Sequence, residues 1–295
     1  MPHLSATQIA PAKINLTLQV TGRDEAGYHH LESVTCFAAF GDHLTITPSD
    51  KELIIDTKGP FASALEAAGG DNLVARAIAL ASQIHDTAPF YHVTIDKQIP
   101  LGGGLGGGSA DAAAMLRYLS DDWPEQARRQ LRENALRLGA DVPACFDSHI
   151  QIMSKKGEEA NWLTLSENRP YLLIANPGCH ADTAAVFAAF AKSGAPFSHP
   201  QSDRLTQLVA TGAWRDLCAI GNDLTKTATG LYPAIGDLLD EITAIGAHCQ
   251  DDFLGANMSG SGASCYALFT DESSASFMHT KLLQKGIWAK ISHFF

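Results

Sequence analysis

The chain has no two cysteines spaced as a metal knuckle or a redox pair. Its six cysteines (Cys36, Cys145, Cys179, Cys218, Cys249 and Cys265) are scattered over 295 residues without a C-x-x-C. That spacing indicates neither a disulfide framework nor a zinc site, so reduced, mostly buried thiols are expected. No apolar run approaches the ~20 residues of a membrane helix, because charge or proline breaks each candidate. The opening Met1-Pro2-His3-Leu4-Ser5 lacks a charged segment followed by an apolar one, so no signal peptide is expected and the cytoplasm is the expected compartment. Positive charge is also scarce: 21 Lys and Arg against 32 Asp and Glu leave a net charge of -11. A nucleic-acid surface needs a clustered basic face, so that class is disfavoured. A phosphorylated ligand is not, since local donors can hold phosphate on an acidic protein. With 45% hydrophobic and 18% charged residues there is no signature of disorder, and the length suffices for two domains.

What is present reads as a mixed chain. Residues 12–20 alternate, with Ile14, Leu16, Leu18 and Val20 on one face, the period of a strand. A turn cluster at 21–27 leads through Tyr28-His29-His30 into apolar stretches at 34–40, 44–46 and 53–55. A helix is expected from the N-cap pair Asp71-Asn72, with Leu73, Val74, Ala77, Ile78 and Ala81 as its stripe. A short strand at 91–95 precedes a glycine run, after which Ser109 opens a helix over 110–118. Another helix, over 124–138, has proline at its start and Gly139 at its end. The polar stretch 155–160 suggests a boundary, giving domains 1–158 and 159–295. Beyond it, the pattern predicts a strand at 171–175, a helix near 183–190, a proline-containing loop at 195–200 and two further helices. A strand at 265–269, a helix at 275–285 and a strand at 287–294 close the chain.

The run Pro100-Leu101-Gly102-Gly103-Gly104-Leu105-Gly106-Gly107-Gly108-Ser109-Ala110 is the most informative segment. Six glycines in seven positions fill a core poorly. They suit a backbone that must approach an anion closely, and they feed a helix whose first amides are unpaired and whose dipole is positive at that end. A polyphosphate fits both features. A flexible linker is the alternative, although linkers are rarely bracketed by a strand and a capped helix. No Gly-Lys dipeptide occurs, which excludes a Walker A loop. Gly102, Gly104 and Gly107 satisfy G-x-G-x-x-G, but no strand precedes Asp121 and Asp122, so the dinucleotide reading fails.

Together the motifs resemble the galactokinase, homoserine kinase, mevalonate kinase and phosphomevalonate kinase superfamily. Residues 99–110 look like a glycine-expanded phosphate signature, Met258-Ser259-Gly260-Ser261-Gly262-Ala263-Ser264 like its second motif, and Pro11-Ala12-Lys13-Ile14-Asn15-Leu16 like its opening one. Adding Gly27-Tyr28-His29-x-Leu31 and Gly139-Ala140-Asp141-Val142-Pro143, the combination is similar to the 4-diphosphocytidyl-2-C-methyl-D-erythritol kinase family. Common members carry Phe where Thr17 stands, and Ser-Ser or Ser-Asn where Ser109-Ala110 stands. The resemblance implies an α+β fold of two domains, a ribosomal-protein-S5-domain-2-like N-terminal domain that binds ATP and a ferredoxin-like C-terminal domain, with the active site in the cleft between them. It implies ATP-dependent phosphorylation of the C2 hydroxyl of 4-diphosphocytidyl-2-C-methyl-D-erythritol in the non-mevalonate isoprenoid route. ATP is then the co-substrate, Mg²⁺ is expected without assigned ligands, and neither a nucleic-acid nor a membrane partner is expected. Another kinase of the superfamily, acting on homoserine or mevalonate, and a non-catalytic nucleotide-binding regulator stay open as alternatives.

The roles follow from the resemblance and from the needs of phosphoryl transfer, which are positioning, charge stabilisation and a base. Asp141 is the expected base, with a turn or capping aspartate as the alternative. Lys13, on a strand whose alternate residues look buried, is assigned to Asp141 and the transferring phosphate; an edge-strand solubility residue is the alternative. Residues 100–110 with Asn72 and Lys97 form the ATP side. On the substrate side, Asn15 is expected to meet the erythritol or its diphosphate, His29 the cytosine edge, and Tyr28 and Phe187 its faces, with Thr183 beside them. Aromatic rings suit a nucleobase because they offer area at little entropic cost. Core packing is the alternative for Phe187.

Overall fold

The computed structural model describes residues 5–68, 72–85, 90–155, 157 and 159–295. Asp71, Lys156 and Glu158, on which the expected helix start and domain boundary bear, and residues 1–4 lie outside the described residues. The first elements are β1 (Ala6–Asn15), β2 (Gln19–Arg23), β3 (His29–Pro48), β4 (Ile54–Lys58), α1 (Ala62–Ala68), α2 (Leu73–Ile84), β5 (Tyr91–Asp96), α3 (Gly107–Leu119), α4 (Glu125–Asn134) and α5 (Val142–Asp147). Then come β6 (Gln151–Lys155), β7 (Glu159–Trp162), β8 (Tyr171–Asn176), α6 (Thr183–Ser193), α7 (Ser202–Thr211), α8 (Trp214–Ile220), α9 (Thr225–Leu231), α10 (Pro233–Gly246), β9 (Phe253–Met258), β10 (Cys265–Phe269), α11 (Glu272–Gln284) and β11 (Trp288–Ser292). They form two compact units. Unit 1 comprises Met1–Ala12, Gly41–Leu101 and Gly106–Ser148, and unit 2 comprises Lys13–Phe40, Gly102–Leu105 and His149–Phe295.

In unit 1, β5 lies between β4, which runs parallel to it, and the second half of β3, which runs antiparallel. Its alternate residues Tyr91, Val93 and Ile95 are buried, as period two predicts. Helix α3 packs on α2 and α5, and Tyr118 meets Tyr91 edge-on at 5.9 Å. Its buried alanines, Ala110, Ala112, Ala113 and Ala114, present little bulk to those neighbours. Arg117 ties α3 to α5 and β1 by donating to Cys145 O at 2.6 Å and Ile9 O at 2.7 Å.

Among the described residues, unit 2 holds a four-stranded antiparallel sheet in the order β11-β8-β10-β9. Its core joins Leu173, Ala267 and Phe269 of the sheet to Val186 and Phe190 of α6, Ile235 and Ile242 of α10, and Met278 and Leu282 of α11. The first half of β3 pairs with β2 and β6, and β6 with β7. The six cysteines are free thiols. No helix among the described residues is long and apolar enough to cross a membrane.

Several local expectations are corrected. The strand expected over 12–20 breaks after Asn15, because the N–H groups of Leu16 and Thr17 converge on Val34 O while Thr17 Oγ1 accepts Val34 N–H. Both of its faces are enclosed: Lys13, Asn15, Thr17 and Gln19 are as buried as their apolar neighbours. The stretches 34–40 and 44–46 belong to one strand, β3. Helix α3 begins inside the glycine run, with Gly106 at its N-cap at φ 65°, so Ser109 lies in the first turn and is not the cap. The helix expected over 124–138 ends at Asn134 and tightens into a 3₁₀ turn at Ala135–Arg137. The two helices expected before β9 are four among the described residues, broken at Gly212, Gly221 and the Tyr232-Pro233 step.

Gly41, within β3, lies against β1: a Cβ there would sit 2.1 Å from Ala10 O and 2.8 Å from Pro11 Cα. Backbone cannot swing aside as a side chain can, so Gly41→Ala should destabilise the protein by about 3 kcal/mol. Urea unfolding checks this; an unchanged midpoint would contradict the packing.

Candidate active site

In unit 1 the first helical bond of α3 is Ala110 N–H to Gly106 O at 2.8 Å. The amides of Gly107, Gly108 and Ser109 therefore precede the helix's own acceptors, at the positive end of its dipole. Ser109 Oγ lies 3.8 Å from the point a Cβ on Gly139 would occupy, which sets this helix start beside the turn that carries Asp141. Asp141 occupies the N-cap position of α5, yet its side chain makes no capping bond; the capping alternative fails. Asn72 caps α2, accepting Val74 N–H at 2.9 Å, and Leu73 Cδ1 lies 3.4 Å from the Cβ position of Gly108. The start of α2 thus abuts the start of α3.

Lys97 lies beneath the loop. Its ammonium is held by Asp42 Oδ2 and, at 2.7 Å, by Asp111 Oδ2, and it is 3.4 Å from the Cβ position of Gly107. Asp42 Oδ1 accepts the amides of Gln98 and Ile99 at 2.6 and 2.8 Å, fixing the backbone that enters the loop. Burial opposes the charge of Lys97, but attraction and hydrogen bonds to Asp111 and Asp42 outweigh it and hold the ammonium above the ordinary lysine range. Burial pushes the Asp111 carboxyl up to about 7; Lys97 pulls it down and Asp42 pushes it up. Asp111 Oδ1 has no hydrogen-bond partner.

In unit 2 the remaining loop residues, Gly102–Leu105, are clamped to the second glycine turn. Ser259 Oγ donates to Gly104 O at 3.1 Å, and Ser264 N–H donates to Gly103 O at 2.9 Å. Gly104, at φ 70°, has no room for a side chain, since a Cβ would lie 2.4 Å from Ser259 O. Asn222 Nδ2 donates to Met258 O and Gly260 O, both at 2.8 Å, and so shapes the second turn. Lys13 N–H donates to Leu105 O at 2.9 Å, and Lys13 Nζ donates to Asn15 Oδ1 at 3.1 Å. The ring of His180 lies directly over Gly102.

A second cluster of unit 2 is aromatic. His29 stacks on Phe187 with centroids 5.3 Å apart and meets the edge of Phe190 at 5.8 Å. Burial, then the charge of Arg23, lowers the His29 pKa, favouring a neutral ring. Its Nε2 is buried without a hydrogen-bond partner. Tyr28 is 63% exposed, and Thr183 Oγ1 lies 2.8 Å from Ser261 Oγ. On α6, Val186 and Phe190 fill the core, whereas Phe187 is only partly buried against it.

Comparison with known proteins shows the family. Residues 72–149 match the family model described as GHMP kinases N terminal domain, and residues 207–287 match GHMP kinases C terminal. The 4-diphosphocytidyl-2-C-methyl-D-erythritol kinase of Parvibaculum lavamentivorans is 40% identical over 97% of this chain and 97% of its own. That of Chelativorans sp. is 37% identical over 90% and 88%. The chain belongs to the 4-diphosphocytidyl-2-C-methyl-D-erythritol kinase family of GHMP kinases. A crystal structure described as 4-(cytidine 5'-diphospho)-2C-methyl-D-erythritol kinase superposes with a TM-score of 0.76 at 26% identity, covering 98% of this chain and 99% of that one. Membership of this GHMP kinase family makes the chain an ATP-dependent small-molecule kinase with a two-domain α+β fold.

The geometry adds Ser33, Thr35 and Asn222 to the residues marked by the sequence, and gives Ser259 a clamping role. Ser259 lies in the second glycine motif, while Ser33, Thr35 and Asn222 carry no motif.

The Asp111 carboxyl is raised above its ordinary 3.8, so the folded state holds its proton more tightly than the unfolded chain does. Its contribution to stability is complete below about pH 4 and is lost as pH rises through about 7. The stability of Asp111→Asn relative to wild type should therefore improve steadily over that window. Melting temperatures of the two proteins from pH 4 to 8 check this, and a pH-independent difference would contradict it.

Proposed function

We propose that the chain transfers the γ-phosphate of ATP to the C2 hydroxyl of 4-diphosphocytidyl-2-C-methyl-D-erythritol, giving the 2-phosphate and ADP in the non-mevalonate isoprenoid route. The observation that carries the chemistry lies within unit 1: the amides of α3 open beside the Asp141 turn, with Ser109 Oγ against Gly139. Asp141 accepts the proton of the C2 hydroxyl as its oxygen attacks the γ-phosphorus, and ADP departs. Lys13 offsets the charge that develops on the transferring group.

Pro100 to Ala110 wrap the phosphates. Asn72 and Lys97 serve the nucleotide side, Lys97 by stiffening the loop entry from below. Among the described residues no group of three His, Cys, Asp or Glu side chains forms a metal cage. Mg²⁺ is commonly held by substrate phosphates with only one or two protein oxygens. Ser109 Oγ, in the first turn of α3, is a candidate protein oxygen for it, and Mg²⁺ there would neutralise phosphate charge. His29, neutral and with an unpartnered Nε2, reads the cytosine edge. Phe187 and Tyr28 supply ring faces, Thr183 lies alongside, and Asn15 uses its second carbonyl lone pair to accept from a hydroxyl of the erythritol. We assign residues 1–158 to a ribosomal-protein-S5-domain-2-like ATP-binding domain and 159–295 to a ferredoxin-like substrate domain. The free, mostly buried thiols favour the cytoplasm.

An ADP-release assay should show turnover with 4-diphosphocytidyl-2-C-methyl-D-erythritol and none with homoserine or mevalonate; the reverse preference would overturn the substrate assignment. Asp141→Asn should bind both ligands and lose roughly 10² to 10⁴ in kcat. Near-normal turnover would remove Asp141 from the mechanism.

A further inference from the structure

We infer that Ser33 and Thr35 are positioning residues: their hydroxyls orient the amide of Asn15 so that its oxygen, rather than its NH₂, faces the Lys13 ammonium. The inference rests on the assignment of Lys13 to the transferring phosphate.

Asn15 Nδ2 donates to Ser33 Oγ at 2.7 Å and to Thr35 Oγ1 at 3.2 Å, while Asn15 Oδ1 accepts Lys13 Nζ at 3.1 Å. Lys13, Asn15, Ser33 and Thr35 are 6%, 5%, 2% and 0% exposed, so little water can substitute for a lost partner. An asparagine amide keeps its shape after a half-turn, and only its partners decide which end points where. An ammonium can only donate. A turned amide would set NH₂ against it and leave buried donors facing each other, an arrangement that costs the full desolvation of both.

A hydroxyl can give or take a hydrogen bond and does not usually settle the matter. Ser33 does, because its single proton is committed to Thr17 O at 2.5 Å. Only its lone pairs remain, and these can take NH₂ but cannot serve an amide oxygen. Thr35 Oγ1, 3.3 Å from Ser33 Oγ, gives its proton to that serine and accepts from Asn15. The backbone of Asn15 is pinned separately, by its N–H to Ser259 Oγ at 3.1 Å, so the amide cannot be rescued by a shift of β1. A lysine on a four-carbon stem thereby gains a fixed acceptor. Losing it misplaces the ammonium, and a misplacement of about 1 Å can cost on the order of 10² in rate.

The test is steady-state kinetics for both substrates in Ser33→Ala, the isosteric Thr35→Val and their combination, with Ser33→Thr and Thr35→Ser as hydroxyl-retaining controls and Lys13→Met alongside. The double variant should lose roughly 10- to 100-fold in kcat while both KM values stay within about threefold, and the hydroxyl-retaining controls should recover most of the rate. A packing role would instead lower the melting temperature and leave the kcat of folded protein alone. A kcat within about twofold of wild type in folded Ser33→Ala and Thr35→Val overturns the inference. If the double variant does not fold, the isosteric Thr35→Val carries the same criterion. Retained turnover in Lys13→Met refutes the lysine's role itself; an inactive Lys13→Met beside active hydroxyl variants refutes only the positioning.

Discussion

A glycine turn has no side chains of its own to hold it, and in this protein buried polar groups do the holding. The hydroxyl of Ser259 accepts Asn15 N–H and donates to Gly104 O, each at 3.1 Å. One oxygen therefore fixes the first glycine turn, the second glycine turn and the strand that carries Lys13. The absence of a side chain at Gly104 follows from this clamp, since Ser259 O occupies the space a Cβ would need.

Unit 1 solves the same problem with charge. Asp42 anchors two successive amides ahead of the loop and shares the Lys97 ammonium with Asp111. Two carboxylates on one ammonium are a costly arrangement away from water, and the raised Asp111 carboxyl expresses that cost. An unpartnered Asp111 Oδ1 is part of the same strain. Such a triad is poor at adding stability but well suited to allowing one backbone path and no other.

The glycine run and the Asp141 turn were legible as motifs because each is a matter of local residue order. The strands β5 and β10 and the helix α6 followed from local patterning, whereas the two-domain α+β class followed from the family resemblance. What could not be read arises from distant partners. Lys97 looks like a ligand-facing lysine until Asp42 and Asp111, 55 and 14 residues away, take its ammonium. Ser33 and Thr35 carry no motif, and only the fold shows that both accept from the amide of Asn15. The start of α3 lies earlier than its sequence suggests because glycine is a weak helix former; here close packing, with Leu73 against Gly108, overrides that propensity.

The central claim is that the amides at the start of α3 hold the nucleotide phosphates. It is tested most directly by amide NMR of ¹⁵N-labelled protein titrated with a non-hydrolysable ATP analogue and Mg²⁺. The amide signals of Gly107, Gly108 and Ser109 should move downfield and saturate together with the binding isotherm. If they stay in place while signals elsewhere report binding, the phosphates lie elsewhere and the account is wrong.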